Sequence, residues 1–258
     1  MNPDMNKVEN FAGQVVTDIA AAFSGVMTNI GHKLGLYKAM AGAGPMTPEE
    51  LAAKTGTHTR YVHEWLNNQV AGLYVHYDAE TDCYQLPDEH VPVLADEQSP
   101  VFLVPALEVA SALWLDEEKV SDVFLSGAGI SWSDHHHRLF CGSEALFRPG
   151  YKAHLATTWL SALDGVEDKL EAGAKIADVG CGHGASTIVM AKEFPNSVFF
   201  GVDSTHESNA IARQRAKEAG VQDNTHFLTS TAKDYTETGF DLICFMDCLH
   251  DMGDPVGA

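Results

Sequence analysis

The chain has 258 residues, 45% of them hydrophobic, with 36 Asp and Glu against 16 Lys and Arg and a formal net charge of -20. This length holds one large domain or two small ones, and the apolar fraction allows a buried core. A surface this acidic repels phosphate backbones and anionic lipid, so we expect neither nucleic acid nor a membrane as partner. The five cysteines form no CxxC pair, which indicates reduced thiols in a cytoplasmic protein without a zinc site.

Residues 1–95 are predicted to form a helical domain. Apolar residues recur at helical spacing from Val15 to Ala41 and fill two strips, which favours packing against another helix or against a second subunit. Within this region the apolar stretch Ile19–Ile30 is broken by polar residues and is too short to span a bilayer. The segment Thr47–Glu50 has the pattern of a capping box with proline at the first helical position, so it predicts a helix start.

A second helix follows, capped by Thr57 or Thr59 and ended by Gly72. Two strand-like runs come next, Leu73–Tyr77 and Cys83–Leu86, joined by a polar turn. Helix, turn, helix and hairpin in this order predict a winged helix.

Residues 96–172 are predicted to be a helical linker that begins after a proline-rich boundary. One loop, residues 126–132, interrupts the helical pattern. The run Asp134–His137 places three histidines side by side, but consecutive side chains diverge and rarely converge on one ion. This run is predicted to be exposed and polar and not a metal site, and with its aromatic neighbours it could wall a pocket.

Residues 173–258 alternate strands and helices, which calls for a parallel sheet with right-handed crossovers. Two helices are predicted, Ala185–Phe194 and His206–Ala219, the second closed by Gly220. The predicted strands are Lys175–Val179, Ser197–Val202, Thr225–Leu228 and Asp241–Met246.

The segment Asp178–Gly184 joins the first of these strands to the first helix through a GxGxG loop, whose glycines let the backbone approach a ligand closely. Loops of this kind bind NAD, FAD or S-adenosylmethionine. A carboxylate at Asp178 would repel a pyrophosphate at the helix N-terminus but suits the ammonium and sulfonium of S-adenosylmethionine. Asp203, at the end of the next strand, is placed to accept hydrogen bonds from both ribose hydroxyls or, alternatively, to cap a helix.

This ordered set, continued by the runs Thr231–Asp234 and Phe240–Ile243, resembles the motifs of class I S-adenosylmethionine-dependent methyltransferases. The N-terminal part is similar to the winged-helix dimerisation domain of small-molecule O-methyltransferases. The resemblance implies an α/β Rossmann-like domain after an all-α, winged-helix domain, and a homodimer formed through the N-terminal helices. It assigns cofactor binding to ten residues, namely Asp178, Gly180, Cys181, Gly182, Gly184, Asp203, Ser204, Thr231, Ala232 and Asp247.

After the fourth strand the segment Leu249–Asp254 is similar to the Leu-His-Asp-x-x-Asp segment of the same enzymes, in which the histidine is the general base. The resemblance gives this role to His250, a residue type that titrates near neutral pH. A structural histidine is the alternative. Asp251 either orients the histidine or caps a helix. The implied reaction is methyl transfer to an oxygen, or to a nitrogen, of a small molecule.

The sheet of this family has seven strands in the order 3-2-1-4-5-7-6, and four are recognisable here. We therefore expect a partial sheet ordered 3-2-1-4 in which Asp241–Met246 is an edge strand. A continuous apolar run is typical of a strand covered on both faces, so the sequence indicates a truncated or partial polypeptide with reduced stability and activity.

Two other functions are compatible with parts of the pattern. The first is a transcription regulator whose methyltransferase-like half senses a ligand. It needs a basic recognition helix, yet Thr59–Val70 offers Arg60 beside Glu64. The second is an NAD-dependent dehydrogenase, which the acid at Asp178 disfavours.

Overall fold

The computed structural model describes residues 3–258 and divides the chain into two units. The first unit ends at Ser111, and the second is Ala112–Ala258. Residues 112–172, predicted as part of a linker, thus belong to the same unit as the sheet that follows them.

The first helix, α1 (Met5–Lys33), starts earlier and ends earlier than predicted. Asp4 caps it by accepting a hydrogen bond from the backbone N–H of Asn6 at 3.1 Å. Gly35 has a φ of 70°, a left-handed conformation that ends the helix and begins α2 (Leu36–Met40). The prediction of one helix from Val15 to Ala41 is therefore wrong at both ends.

One face of α1 exposes large apolar side chains. α1 has 29 residues, and of the helices in residues 3–258 it is the one long and apolar enough to cross a membrane. The apolar stretch Ile19–Ile30 was predicted to be too short to span a bilayer, but the helix that contains this stretch is longer. Helices that pack in soluble proteins pass the same test, so this is weak evidence for a membrane. The exposed residues along α1 are Met5, Val8, Phe11, Val15, Val16, Ile19, Phe23, Val26 and Ile30.

The helix pair α3 (Pro48–Thr55) and α4 (Thr59–Ala71) builds the core of the first unit. The predicted capping box is confirmed: the N–H of Glu50 donates to the Thr47 hydroxyl, and the N–H of Thr47 donates to the Glu50 carboxylate at 2.9 Å. The predicted cap of α4 is wrong, because the His58 side chain, and neither Thr57 nor Thr59, accepts the N–H of Arg60.

A two-stranded antiparallel hairpin follows, β1 (His76–Asp78) and β2 (Cys83–Gln85), with Tyr77 opposite Tyr84. The strands are shorter than predicted. Leu73 has a φ of 61°, which takes the backbone out of the extended conformation before β1 begins. The predicted order of helix, turn, helix and hairpin is confirmed.

Short helices connect the hairpin to the sheet of the second unit. A π-helix continues α8 without a break and begins two residues after Pro149, whose missing N–H disturbs regular α-helical bonding. The connecting helices are α5 (Val91–Leu94), α6 (Val104–Leu115), α7 (Glu117–Ser126), α8 (His137–Gly150), the π-helix (Tyr151–Leu160) and α9 (Val166–Ala172), with 3₁₀ turns at Asp88–His90 and Trp132–Asp134.

The second unit contains a parallel sheet of four strands ordered β5-β4-β3-β6, which confirms the predicted order 3-2-1-4 and the Rossmann-like class. Within residues 3–258 no strand pairs with the outer side of β6, and Ile243 is 48% exposed. The fourth strand was predicted too long. The elements are β3 (Lys175–Val179), α10 (Ala185–Glu193), β4 (Val198–Asp203), α11 (His206–Ala219), β5 (Thr225–Thr229) and β6 (Leu242–Cys244).

A glycine in α1 allows close packing in the first unit. A Cβ at Gly31 would lie 2.4 Å from the buried indole of Trp65, whose Nε1 donates to the Met27 carbonyl at 2.8 Å. A Cβ at Gly13, in the same helix, would meet nothing within 4 Å. Both Gly31→Ala and Gly13→Ala change helix propensity, but only the first creates a steric overlap, so comparing their stabilities isolates the cost of that overlap.

We expect Gly31→Ala to lower the free energy of unfolding relative to Gly13→Ala by about 1–3 kcal/mol, the usual cost of overpacking a core. Alanine should gain up to ~1 kcal/mol of helix propensity at either position. Urea unfolding followed by tryptophan fluorescence measures the difference. Equal stabilities of the two variants would show that Trp65 can move without cost.

Candidate active site

The loop between β3 and α10 is held against the neighbouring strand. Gly180, Gly182 and Gly184 have φ values of 74°, 51° and 76°, a region that favours glycine. The N–H of Gly180 donates to the carbonyl of Val202 in β4 at 2.7 Å. The loop backbone therefore has a fixed path at the carboxyl ends of the two central strands, where open α/β sheets bind ligands.

Asp203, the last residue of β4, connects this loop to the next helix. Its Oδ2 accepts the N–H of Gly182 at 2.9 Å, and its Oδ1 accepts the N–H of Thr205 at 2.8 Å. Thr205 is the N-cap of α11, so Asp203 supports the start of a helix, as its alternative role required. The same side chain also lines a cavity, so the two roles coexist.

Asp178 lies beneath the loop and has no exposed surface. Its Oδ2 accepts hydrogen bonds from the hydroxyls of Ser186 and Thr187, both at 2.6 Å, while its buried Oδ1 has no partner among the described residues. Burial raises the pKa of this carboxyl above its ordinary value, and the two hydroxyls oppose the shift. An acidic group therefore occupies the first turn of α10, where a phosphate would otherwise bind.

A cavity of about 660 Å³ opens above the loop, and all its lining residues belong to the second unit. Four carboxylate side chains line it, and within the described part of the chain no Lys or Arg does. A cavity with this lining favours a cationic ligand over a pyrophosphate. The four acidic residues are Glu144, Asp203, Asp247 and Asp251.

The acids on the wall differ in their surroundings. Glu144 is paired with Arg215 of α11 at 2.9 Å and with Arg148 at 3.3 Å, so its charge is largely compensated. Asp247 accepts a hydrogen bond from the Tyr151 hydroxyl at 3.0 Å. Asp247 has a φ of 53°, uncommon for a residue other than glycine, and such a conformation costs free energy that the surrounding structure must supply.

Tyr151 is the first residue of the π-helix, and its side chain lines the cavity together with other aromatic residues. Burial raises the pKa of its phenol, with the Asp247 charge adding to the effect, so the hydroxyl stays protonated and donates to Asp247. π-helical segments are rare and often occur at functional sites, and this one, of ten residues, begins at the cavity wall. The aromatic residues predicted to wall a pocket all line this cavity: Trp132, Phe140, Phe147 and Tyr151.

The predicted site residues fall into two groups. Some predicted residues do not line the cavity, because they are buried beneath its wall or lie on a separate turn. Thr231 is on such a turn, and its hydroxyl donates a hydrogen bond to Asp234 at 2.5 Å. The residues outside the cavity wall are Asp178, Gly184, Thr231 and Ala232. The residues on the wall are Gly180, Cys181, Gly182, Asp203, Ser204, Asp247, His250 and Asp251.

His250 is held weakly. Its side chain is 70% exposed, and its polar partner among the described residues is Asp251, with Nε2 and Oδ1 3.4 Å apart. It lies in a 3₁₀ turn, Leu249–Asp251, that follows the cavity wall. The His250 ring is therefore free to reorient, whereas a general base must hold its lone pair towards the proton that it accepts.

Sequence reasoning missed a second histidine. His135 was placed in an exposed polar run, but its side chain is 17% exposed and lines the cavity. Its Nδ1 lies 3.0 Å from Oδ2 of Asp116, a carboxylate that is 2% exposed. The two residues are 19 positions apart, so no local pattern could have paired them.

Two family models match the chain. Residues 22–96 match the Rv2258c-like winged helix-turn-helix domain, and residues 170–258 match a methyltransferase domain. The chain joins a winged helix-turn-helix domain to a methyltransferase domain. The Asp178–Gly184 loop, Asp203 and His250 all lie within the matched methyltransferase domain.

Curated methyltransferases match part of the chain. A ubiquinone biosynthesis O-methyltransferase of Actinobacillus pleuropneumoniae serotype 7 is 32% identical over 103 residues, which are 36% of this chain and 42% of that protein. A tRNA (guanine-N(7)-)-methyltransferase of Botryotinia fuckeliana is 31% identical over 64 residues, 25% of this chain and 23% of that protein. The chain thus spans less than half the length of these relatives.

Solved structures match both domains. The mitomycin 7-O-methyltransferase MmcR superposes with a TM-score of 0.71 at 19% identity, over 98% of this chain and 75% of that one. Human N-acetylserotonin methyltransferase, in complex with S-adenosylmethionine, gives a TM-score of 0.61 at 17% identity, over 94% of this chain and 72% of that one. At these identities the similarity shows a shared fold.

The buried carboxyl of Asp178 gives the methyltransferase domain a pH-dependent stability. Because burial raises its folded pKa above 3.8, the unfolded chain ionises first as the pH rises, and the folded state loses stability from that pH upward. Asp178→Asn does not titrate. We therefore expect the unfolding free energy of the wild type to fall relative to this variant as the pH rises above 3.8, the ordinary pKa of an aspartate.

Urea titrations without ligand at several pH values measure this difference. Asp223→Asn, which alters an exposed aspartate, is the matched control and should follow the wild type at every pH. A difference between wild type and Asp178→Asn that stays constant, or grows in favour of the wild type with rising pH, would contradict the account.

Proposed function

We propose that the methyltransferase domain binds S-adenosylmethionine in this cavity and transfers its methyl group to a small molecule. The observation that carries the proposal is the charge of the wall, which presents four carboxylates and, among the described residues, no Lys or Arg. When bound, S-adenosylmethionine supplies an electrophilic methyl group on a cationic sulfur. Its ammonium and sulfonium suit such a wall, whereas the pyrophosphate of NAD does not.

The residues of the loop fit this ligand. Gly182 has open space where a Cβ would be, so its backbone can lie against a bound molecule. The side chain of Asp203 lines the cavity, and we propose that it accepts hydrogen bonds from the ribose hydroxyls. Asp178 lies beneath the loop, where its carboxyl accepts hydrogen bonds from the hydroxyls of Ser186 and Thr187 and so occupies the first turn of α10, the usual place of a phosphate. The adenine contacts of Thr231 and Ala232 rest on the sequence resemblance alone.

The acceptor is proposed to be a small aromatic compound with a hydroxyl group. Its side of the cavity is lined by Trp132, Phe140, Phe147 and Leu139, which suit a flat apolar body. The names of several similar proteins include O-methyltransferase, which favours oxygen over nitrogen as the methylated atom. The domain's own contribution would be to align donor and acceptor and to accept the hydroxyl proton.

The regulator alternative receives no support from the described residues. In α4 the guanidinium of Arg60 is paired with Glu64 at 2.6 Å, which compensates the one arginine of this helix. DNA-binding helices need uncompensated positive charge. We propose a cytoplasmic protein without nucleic-acid or membrane partners.

The winged-helix domain is proposed to form a homodimer through α1. The exposed apolar residues Phe11, Val15, Ile19, Phe23 and Val26 follow one another at intervals of three or four, so they share one face of the helix. A contiguous apolar face of this kind usually marks an interaction site.

The binding proposal is tested by Asp203→Asn. This change removes a negative charge from two hydrogen bonds to ribose, and we expect it to weaken S-adenosylmethionine binding by about 2–4 kcal/mol. Isothermal titration calorimetry gives the affinity. Asp223→Asn should bind as the wild type does, and thermal unfolding of both variants identifies loss of folding. Unchanged affinity in a folded Asp203→Asn protein would remove Asp203 from the site.

The dimer proposal is tested by Ile19→Asp, which places a charge in the middle of the apolar face. We expect a dimer for the wild type and a monomer for this variant in light scattering after size exclusion. Thr17→Glu, on the opposite side of α1, should remain dimeric. A monomeric wild type, or its sedimentation with phospholipid vesicles, would contradict the proposed role of α1.

A further inference from the structure

A buried carboxylate fixes the orientation of a histidine on the acceptor side of the cavity. Asp116, between α6 and α7, accepts three hydrogen bonds: from Nδ1 of His135 at 3.0 Å, from the N–H of His136 at 2.8 Å and from Nζ of Lys119 at 2.9 Å. These bonds, above all the one from Lys119, hold the pKa of Asp116 well below its usual range. Asp116 therefore stays ionised and always acts as an acceptor.

The charge of Asp116 decides the tautomer of His135. An ionised carboxylate can only accept, so Nδ1 of His135 must carry the proton. In the neutral ring Nε2 is then left with a free lone pair. Within the described residues no side chain or carbonyl bonds Nε2, and the exposed part of the ring lies on the cavity wall.

The surroundings of His135 suit an aromatic hydroxyl compound. Trp132 packs against His135 with 6.1 Å between ring centroids and against Phe140 at 5.4 Å, both in edge-on geometry. His135, Trp132 and Phe140 all line the cavity, so apolar rings surround the imidazole there. The charged groups that face this part of the cavity are Asp116 and Lys119 behind the imidazole and Glu144 on α8, which Arg215 compensates.

We propose that His135, oriented by Asp116, is the general base that takes the proton from the acceptor hydroxyl. This inference rests on the proposed methyl transfer. The acceptor oxygen forms a bond to the methyl carbon as the carbon–sulfur bond breaks, and the sulfur keeps the electron pair. The hydroxyl proton moves to Nε2 of His135, and the imidazolium, stabilised by Asp116, later releases it to water. Asp116 is a positioning residue, because it acts through the histidine.

The geometry favours His135 over His250. The partner of His135 is buried, ionised and 3.0 Å away, whereas the partner of His250 is half exposed at 3.4 Å, and the His250 ring is mostly in solvent. A base must keep its lone pair aimed at the hydroxyl during the reaction. Of the two, His135 has the restraint that this requires.

The first test observes the imidazole directly and needs no turnover. Nitrogen-15 NMR of the histidine-labelled 258-residue chain with S-adenosylhomocysteine should show His135 protonated at Nδ1, with the signal assigned by its loss in His135→Gln. Adding catechol, a dihydroxybenzene, should shift the His135 Nε2 resonance. An Nε2-protonated ring, or an unchanged Nε2 resonance on catechol addition, would overturn the proposal.

The second test measures methyl transfer to catechol. His135→Gln should lower kcat by about 10²- to 10⁴-fold, the usual contribution of a general base, with little change in S-adenosylmethionine affinity. The fall of kcat towards acid pH should disappear with the imidazole. The matched control, His137→Gln, alters the exposed neighbour that does not line the cavity and should keep wild-type turnover.

Asp116→Asn separates orientation from folding. If the protein unfolds like the wild type, its His135 should lose the preference for the Nδ1-protonated tautomer, and kcat should fall while KM changes little. A large loss in His250→Gln with near-normal turnover in His135→Gln would overturn the proposal in favour of His250. A wild type that binds S-adenosylmethionine but methylates no catechol counts against this acceptor class, and the tautomer of His135 in the S-adenosylhomocysteine complex, which needs no acceptor, still tests its orientation by Asp116.

Discussion

The path of the glycine loop between β3 and α10 is the constraint on which the site depends. Asp178 anchors the start of α10 from below, and Asp203 binds the loop N–H of Gly182 from the side of α11. The two carboxylates fix a loop whose left-handed backbone only glycine adopts readily. Both lie towards the carboxyl ends of adjacent parallel strands, the edge at which open α/β sheets bind their ligands.

The charge of the cavity follows from this arrangement and sets its chemistry. A buried carboxylate at the start of a helix removes the usual place for a phosphate, and the acids on the wall favour a cation. Aromatic residues line the same cavity, from the 3₁₀ turn at Trp132, from α8 and from the first residue of the π-helix. One cavity therefore combines carboxylates suited to a charged donor with aromatic rings suited to an apolar acceptor.

The sequence predicted what local patterns encode. The bounds of β3 and α11, the strand order and the capping box of α3 are confirmed, since each depends on neighbouring residues or on connection rules. The end of the first helix was wrong because Gly35 outweighed apolar periodicity. The Asp116–His135 pair joins residues that only tertiary packing brings together, and the burial of Asp178 could not be read from its motif.

The central claim is that the cavity binds a cationic methyl donor and not a dinucleotide. Isothermal titration calorimetry of the wild-type chain with S-adenosylmethionine, S-adenosylhomocysteine and NAD tests it directly. The account predicts saturable binding of S-adenosylmethionine and of its demethylated product at one site per chain, and no heat of binding with NAD. Binding of NAD without binding of S-adenosylmethionine would contradict it.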